Sequence, residues 1–128
     1  MNFVPDTHSL VWYFTDDLRL SRRALKSFES TVKEGQIIVP TVVLAEIMFI
    51  AQKGRVNLGF TETIARIEAM DNFEIAPLDL EVLRMADSIE APLEMHDKLI
   101  VATALCYDSI LITRDEQITK SKTVKTVW

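Results

Sequence analysis

Nineteen Asp and Glu side chains are spread over 128 residues, and four of them occupy positions where the local sequence makes a carboxylate conspicuous. Asp6 directly follows the apolar run Phe3–Pro5, and Asp115 follows the apolar run that ends at Thr113. Asp97 stands near the start of a long helical stretch, and Glu46 is the one charged side chain between Val42 and Gln52. If these acids meet, their mutual repulsion raises their pKa values and destabilises the fold unless cations compensate. An all-oxygen donor set suits Mg²⁺ or Mn²⁺ and argues against zinc, for which Cys and His are the usual ligands. Such a pocket positions a phosphodiester, lowers the pKa of a bound water and stabilises the leaving oxygen, which is the chemistry of phosphodiester hydrolysis.

Each acid also has a plainer role available. Asp6 after a strand can form a turn or cap a helix, and Asp115 can open a loop. Glu46 can point to water along a narrow exposed stripe. Asp97 in a helix's first turn is favoured by the macrodipole alone. What favours the chemical reading is that four acids from four separated segments are expected at one edge of one sheet.

That expectation rests on the elements. Phe3–Pro5 reads as a strand, and Ser9–Phe14 as the start of a helix. Ser21 caps a helix through Leu25, Phe28 and Val32 that stops at Gly35. A second strand covers Gln36–Val39, ending at Pro40, with Thr41 placed to cap the next helix, Val42–Gln52. That helix is apolar around most of its circumference, so it is expected to be buried, with Glu46 in need of a cationic partner. A further helix carries Ile64, Ile67 and Met70 before a strand at Phe73–Ala76, and Asp79 caps a helix through Val82, Leu83 and Ala86. From Met95 to Tyr107 a helix turns Leu99, Ile100, Ala102, Thr103 and Cys106 inward. Ser109–Thr113 is a fourth strand, and Thr123–Trp128 alternates as an edge strand. Alternating strands and helices predict a single α/β domain over residues 1–128, a three-layer α/β/α sandwich with a mainly parallel sheet. In such sheets ligands bind beyond the carboxyl ends of the strands, where Asp6 and Asp115 fall.

Composition sets the bounds. With 48% hydrophobic and 26% charged residues the chain has the balance of a folded soluble protein. A single cysteine, Cys106, excludes an intrachain disulfide and suits a reducing cytoplasm. Asp6 precedes any basic side chain, which speaks against a secretory signal, and the longest stretch without a charge, Gly35–Ala45, is too short for the roughly 20 residues of a membrane helix.

Four stretches, Asp6-Thr7-His8, Pro40-Thr41 leading to Glu46, His96-Asp97-Lys98-Leu99-Ile100 with Ala102-Thr103-Ala104, and Thr113-Arg114-Asp115, stand out as motifs. Together they resemble the PIN-domain nucleases, in particular the VapC-type toxins of toxin–antitoxin pairs. The resemblance covers nearly the whole chain, in order. It implies a Mg²⁺- or Mn²⁺-dependent endoribonuclease, usually homodimeric and silenced by a VapB-like antitoxin. It places Asp6, Glu46, Asp97 and Asp115 as catalytic metal ligands, with Thr7, His96, Thr113 and Arg114 orienting those ligands or the substrate. His8 falls in the first motif with at most a supporting role. His96 can donate to phosphate or be a structural helix-start histidine, and Glu116 can be a fifth carboxylate or simply solvated. Pro5 stands where related chains tend to have an apolar residue able to donate to the sheet.

The net charge of −5 opposes binding a polyanion, but it is unevenly spread. From Arg114 onward four basic side chains face two acidic ones, a net +2, while the preceding residues carry a net −7. Arg114, Lys98, Lys53 and Arg55 lie near the expected site in sequence and can hold phosphates or be scattered surface charge. The run Trp12-Tyr13-Phe14, together with Phe49 and Phe60, can stack bases, pack in the core or meet a dimer or antitoxin partner. Two competing readings remain at this level: a non-catalytic PIN-like module that binds an ion or RNA for regulation, and a nuclease directed at DNA. A receiver-like module would need a strand-end lysine opposite the acids, and Lys98 lies on a helix start instead.

Overall fold

The computed structural model describes residues 1–128 and contains one five-stranded sheet flanked by seven helices. The elements run β1 (Phe3–Pro5), α1 (Thr7–Phe14), α2 (Arg22–Ser30), β2 (Ile37–Pro40), α3 (Thr41–Gln52), α4 (Phe60–Glu68), β3 (Phe73–Ala76), α5 (Leu80–Asp87), α6 (Met95–Cys106), β4 (Ile110–Ile112), α7 (Glu116–Ser121) and β5 (Thr126–Val127). The strand order is β3-β2-β1-β4-β5, and all four pairings are parallel. Successive side chains of a strand point to opposite faces, and Ile37, Ile38 and Val39 are all buried, so both faces of the sheet are covered. The expected α/β/α architecture is the one observed. No helix is long and apolar enough to cross a membrane.

The order of the strands decides where the site forms. The chain builds β1, β2 and β3 outward in one direction, then returns to place β4 on the other side of β1, so the carboxyl ends of β1 and β4 lie side by side at the point of reversal. Pro5 pairs with Ile112 there, and the Asp6 N–H continues the ladder to the Ile112 carbonyl at 3.1 Å. On its other edge β1 is in register with β2 only at Phe3 and Ile37, so the missing Pro5 donor falls where the pairing has already ended.

Several element boundaries differ from those expected. The helix capped by Ser21 ends at Ser30, short of Val32, which is exposed. The Ser27, Ser30 and Thr31 hydroxyls donate to the carbonyls of Arg23, Ser27 and Phe28, local bonds that compete with continuation of the helix. Gly35 then turns with φ +97°, hard against the Met1 backbone, where a side chain has no room. Thr41 does not cap α3. It is the first helical residue, and its Oγ1 accepts the Leu78 N–H at 3.0 Å, fastening the loop before α5. The α4 helix ends before Met70. The edge strand is shorter than its alternation implied, at Thr126–Val127, and α7 was not foreseen.

The largest correction concerns α3. It buries only Val43, Leu44 and Ile47, while Ala45, Met48 and Phe49 are exposed. The premise that an all-apolar helix encloses Glu46 therefore fails, and Glu46 is half-buried at the edge of an open cleft. The aromatic run is core: Trp12 and Phe14 are buried, and Tyr13 stacks on Phe28 with centroids 4.1 Å apart.

Candidate metal-binding active site

Asp6 sits at the end of β1 and caps α1. Its Oδ1 accepts the Ser9 N–H at 3.0 Å and lies 2.6 Å from the Ser9 hydroxyl, which also reaches the Ile112 carbonyl at 2.9 Å. Its Oδ2 accepts from Thr113 Oγ1 at 2.6 Å. The same Thr113 oxygen accepts the Asp115 N–H at 3.0 Å, so one buried hydroxyl after β4 fixes two acids at once. Asp115 Oδ1 in turn accepts the Ile118 N–H at 2.9 Å and caps α7. The capping roles open to Asp6 and Asp115 are thus realised.

Glu46 is brought in by α3, where its Oε1 accepts from the buried Thr7 hydroxyl. Asp97 stands in the first turn of α6, with His96 Nε2 3.2 Å from its Oδ1. Asp6, Glu46, Asp97 and Asp115 line one open cleft of about 460 Å³. Glu94 and Glu116 also line it, and Ile100 is its single apolar wall. Burial pushes the Asp97 carboxyl above the ordinary aspartate range; His96 pulls it down, and the charges of Asp115, Glu94 and Asp6 push it up again. Those charges act on Asp97 because the acids share one space.

The donor set fits a hard divalent cation. Asp115 Oδ2 and Glu46 Oε2 take no hydrogen bond from the protein, while their partner oxygens are tied down, and neither oxygen of Asp97 accepts one beyond its contact with His96. Carboxylates held by one oxygen and free at the other are preorganised for an ion that takes six or more oxygen ligands.

Glu94 was missed in the sequence. Its carboxylate, His96 and Asp97 offer ligand atoms within 4.8 Å of one another. The signal available was its position three residues before Asp97, just ahead of the helix. His96 lies between Glu94 Oε2, 3.7 Å from its Nδ1, and Asp97 Oδ1, 3.2 Å from its Nε2, with its side chain 41% exposed at the cleft. Of the basic residues expected near the site, only Arg114 adjoins it. Lys53 lies over the Phe49 ring, Lys98 lines a separate apolar depression against α5, and Arg55 does not line the cleft. Glu116 reaches the rim but is exposed and pairs with Lys120 at 3.7 Å.

A family model described as the PIN domain matches residues 3–122. The chain belongs to the PIN domain family. Solved structures share the fold of this PIN domain along its whole length. The VapBC2 complex of Rickettsia felis bound to a promoter DNA fragment aligns with a TM-score of 0.73 at 14% identity, covering 99% of this chain and 98% of that one. A toxin–antitoxin complex from Klebsiella pneumoniae aligns at 0.69 and 21% identity, covering 98% and 95%. Mycobacterium tuberculosis VapC20, described as a sarcin–ricin loop cleaving toxin, aligns at 0.66 and 14% identity, covering 98% of each chain. Sequence comparison with curated proteins gives no match. The resemblance read from the four motifs is thus matched by the fold of the PIN domain that carries them.

Proposed function

We propose that this PIN domain is a Mg²⁺- or Mn²⁺-dependent endoribonuclease, the VapC-type toxin of a toxin–antitoxin pair acting in the cytoplasm. The observation that carries the reading is the convergence of Asp6, Glu46, Asp97 and Asp115 on one cleft, each in contact with a neighbouring polar side chain, Ser9, Thr7, His96 or Thr113. A divalent ion bound there would supply charge to a phosphodiester and lower the pKa of a water. The protein's own part is placement. Thr113 keeps Asp6 and Asp115 in fixed relation, Thr7 keeps Glu46 turned inward, and His96 holds Asp97. Arg114, beside Asp115, is available to the substrate strand.

The similarity to chains solved in VapBC and toxin–antitoxin complexes supports a VapB-like antitoxin as partner; the homodimer is what the resemblance to the family implies. The likeness to VapC20 supports RNA as substrate.

The test is incubation of purified protein with a structured RNA and with DNA of the same sequence, in Mg²⁺, in Mn²⁺ and in EDTA. Water attack with departure of the 3′ oxygen leaves a 3′-hydroxyl on one fragment and a 5′-phosphate on the other. RNA cut to such ends only with divalent metal is the expected result. Preferential cutting of DNA, or cutting that persists in EDTA, contradicts it.

A further inference from the structure

Beside the acidic cleft lies a second depression of about 300 Å³ that shares Asp6 and Asp115 with it. Its other walls include Trp12, Arg19 and Arg114. The two guanidinium carbons lie 4.9 and 4.7 Å from the Trp12 ring, within cation–π range. Trp12 is 5% exposed, so no base can stack on it, and its role here is to seat the two arginines. The ring is itself braced, edge-on, by Trp128 at 5.9 Å.

The arginines are held but not neutralised in the same degree. Arg19 gives Nε and Nη2 to Asp17, at 3.1 and 2.8 Å, which leaves Nη1 free. Arg114 makes no ion pair or side-chain hydrogen bond within the chain, although its backbone is fixed between Thr113 and Asp115. A third depression, of about 340 Å³, shares Arg114 and runs on to Lys120 and Trp128. A cation with all its donors free, seated on a rigid ring next to a cluster of carboxylates it does not pair with, is placed for an anion brought by something else.

We infer that Arg19 and Arg114, on their Trp12 platform, form a phosphate subsite that grips the RNA strand on one side of the bond to be cut. The inference rests on the ribonuclease reading and adds the direction in which the strand leaves the cleft, past Arg114 toward Lys120. It also gives the locally positive tail a function in a chain of net charge −5. Arg19 and Arg114 are positioning residues; neither acts on the reacting atoms.

The experiment measures binding of a fluorescein-labelled single-stranded RNA to protein carrying Asp97→Asn, which prevents cutting, across a range of salt. Arg19→Ala and Arg114→Ala are each expected to weaken binding about three- to tenfold at low salt and to flatten the plot of log affinity against log salt by about 0.7, the increment for one phosphate contact on a single strand. The double variant should flatten it by about 1.4, and Arg114→Lys should restore the wild-type slope. In chains that retain Asp97, the same alanine variants should raise KM more than they lower kcat. An unchanged slope in the double variant overturns the subsite, as does a loss confined to kcat. A chain that binds RNA with the predicted slopes but never cuts it refutes the ribonuclease reading and leaves the phosphate subsite standing.

Discussion

Asp97→Asn is expected to lower the cleavage rate about a thousandfold or more, equivalent to roughly 4 kcal/mol of transition-state stabilisation, while making the metal-free protein more stable. The rate falls because a charged metal ligand is lost, and the stability gain comes from relieving the crowding of the acids. Burial raises the Asp97 carboxyl above its ordinary value; His96 pulls it back, and the charges of Asp115, Glu94 and Asp6 push it up again. A carboxyl raised in the folded state holds its proton there to higher pH than in the unfolded chain. Stability is therefore greatest below the unfolded aspartate value and is lost as pH rises through the folded one. Asparagine has no proton to lose. In EDTA the variant should melt a few degrees above wild type at neutral pH, and the gap should close as pH falls below the aspartate range. Thermal melts across that range together with initial cleavage rates check both halves. A variant that is less stable at neutral pH, or one that still cuts, contradicts the account of Asp97.

Phe28→Ala is expected to cost about 3–5 kcal/mol, a large part of the roughly 5–15 kcal/mol that holds a domain of this size together. The α2 helix buries only Ala24, Ser27 and Phe28, so the phenylalanine is its main anchor. Its ring lies fully buried and parallel to Tyr13 at 4.1 Å, and Tyr13 and Phe14 continue the stack to Phe73 on β3. Truncation leaves a cavity bounded by rigid rings and strands that cannot collapse to fill it. Urea unfolding should show the loss as a lower midpoint at unchanged slope. Phe28 lies outside the acidic cleft, so the part of the population that stays folded should still cut RNA. A loss below about 1 kcal/mol would mean that α2 is held by something other than this stack.

These two residues also mark how far the chain could be read before its structure. The strands were legible because a parallel sheet covered on both faces needs continuous apolar runs, and Ile37-Ile38-Val39 and Ile110-Leu111-Ile112 are such runs. Asp6 and Asp115 were legible for the same reason, since Asp6 directly follows one such strand and Asp115 lies just beyond the end of another. Glu46 was picked out on a faulty premise. Apolar composition does not amount to burial: α3 turns Met48 and Phe49 outward, and sequence alone does not say which apolar face a neighbour covers. Glu94 went unnoticed because it is the cap residue just before α6, outside the helical repeat that marks the helix. Likewise α7 was missed because six residues are too few to show a helical repeat, although its cap, Asp115, was in view. The pairing of Arg19 with Arg114 over Trp12 joins segments far apart in the chain, and only the tertiary fold brings them together.

The central claim is that the four acids act as one divalent-metal site, and calorimetric titration of Mn²⁺ tests it most directly. The titration would be run on the wild-type chain and on Asp6→Asn, Glu46→Gln, Asp97→Asn and Asp115→Asn, each first confirmed to be folded. The account predicts saturable binding to wild type that weakens about tenfold or more in every one of the four variants, because each removes a charged ligand from a shared coordination sphere. Mn²⁺ binding that is absent from the wild-type chain, or that none of the four substitutions changes, would contradict it.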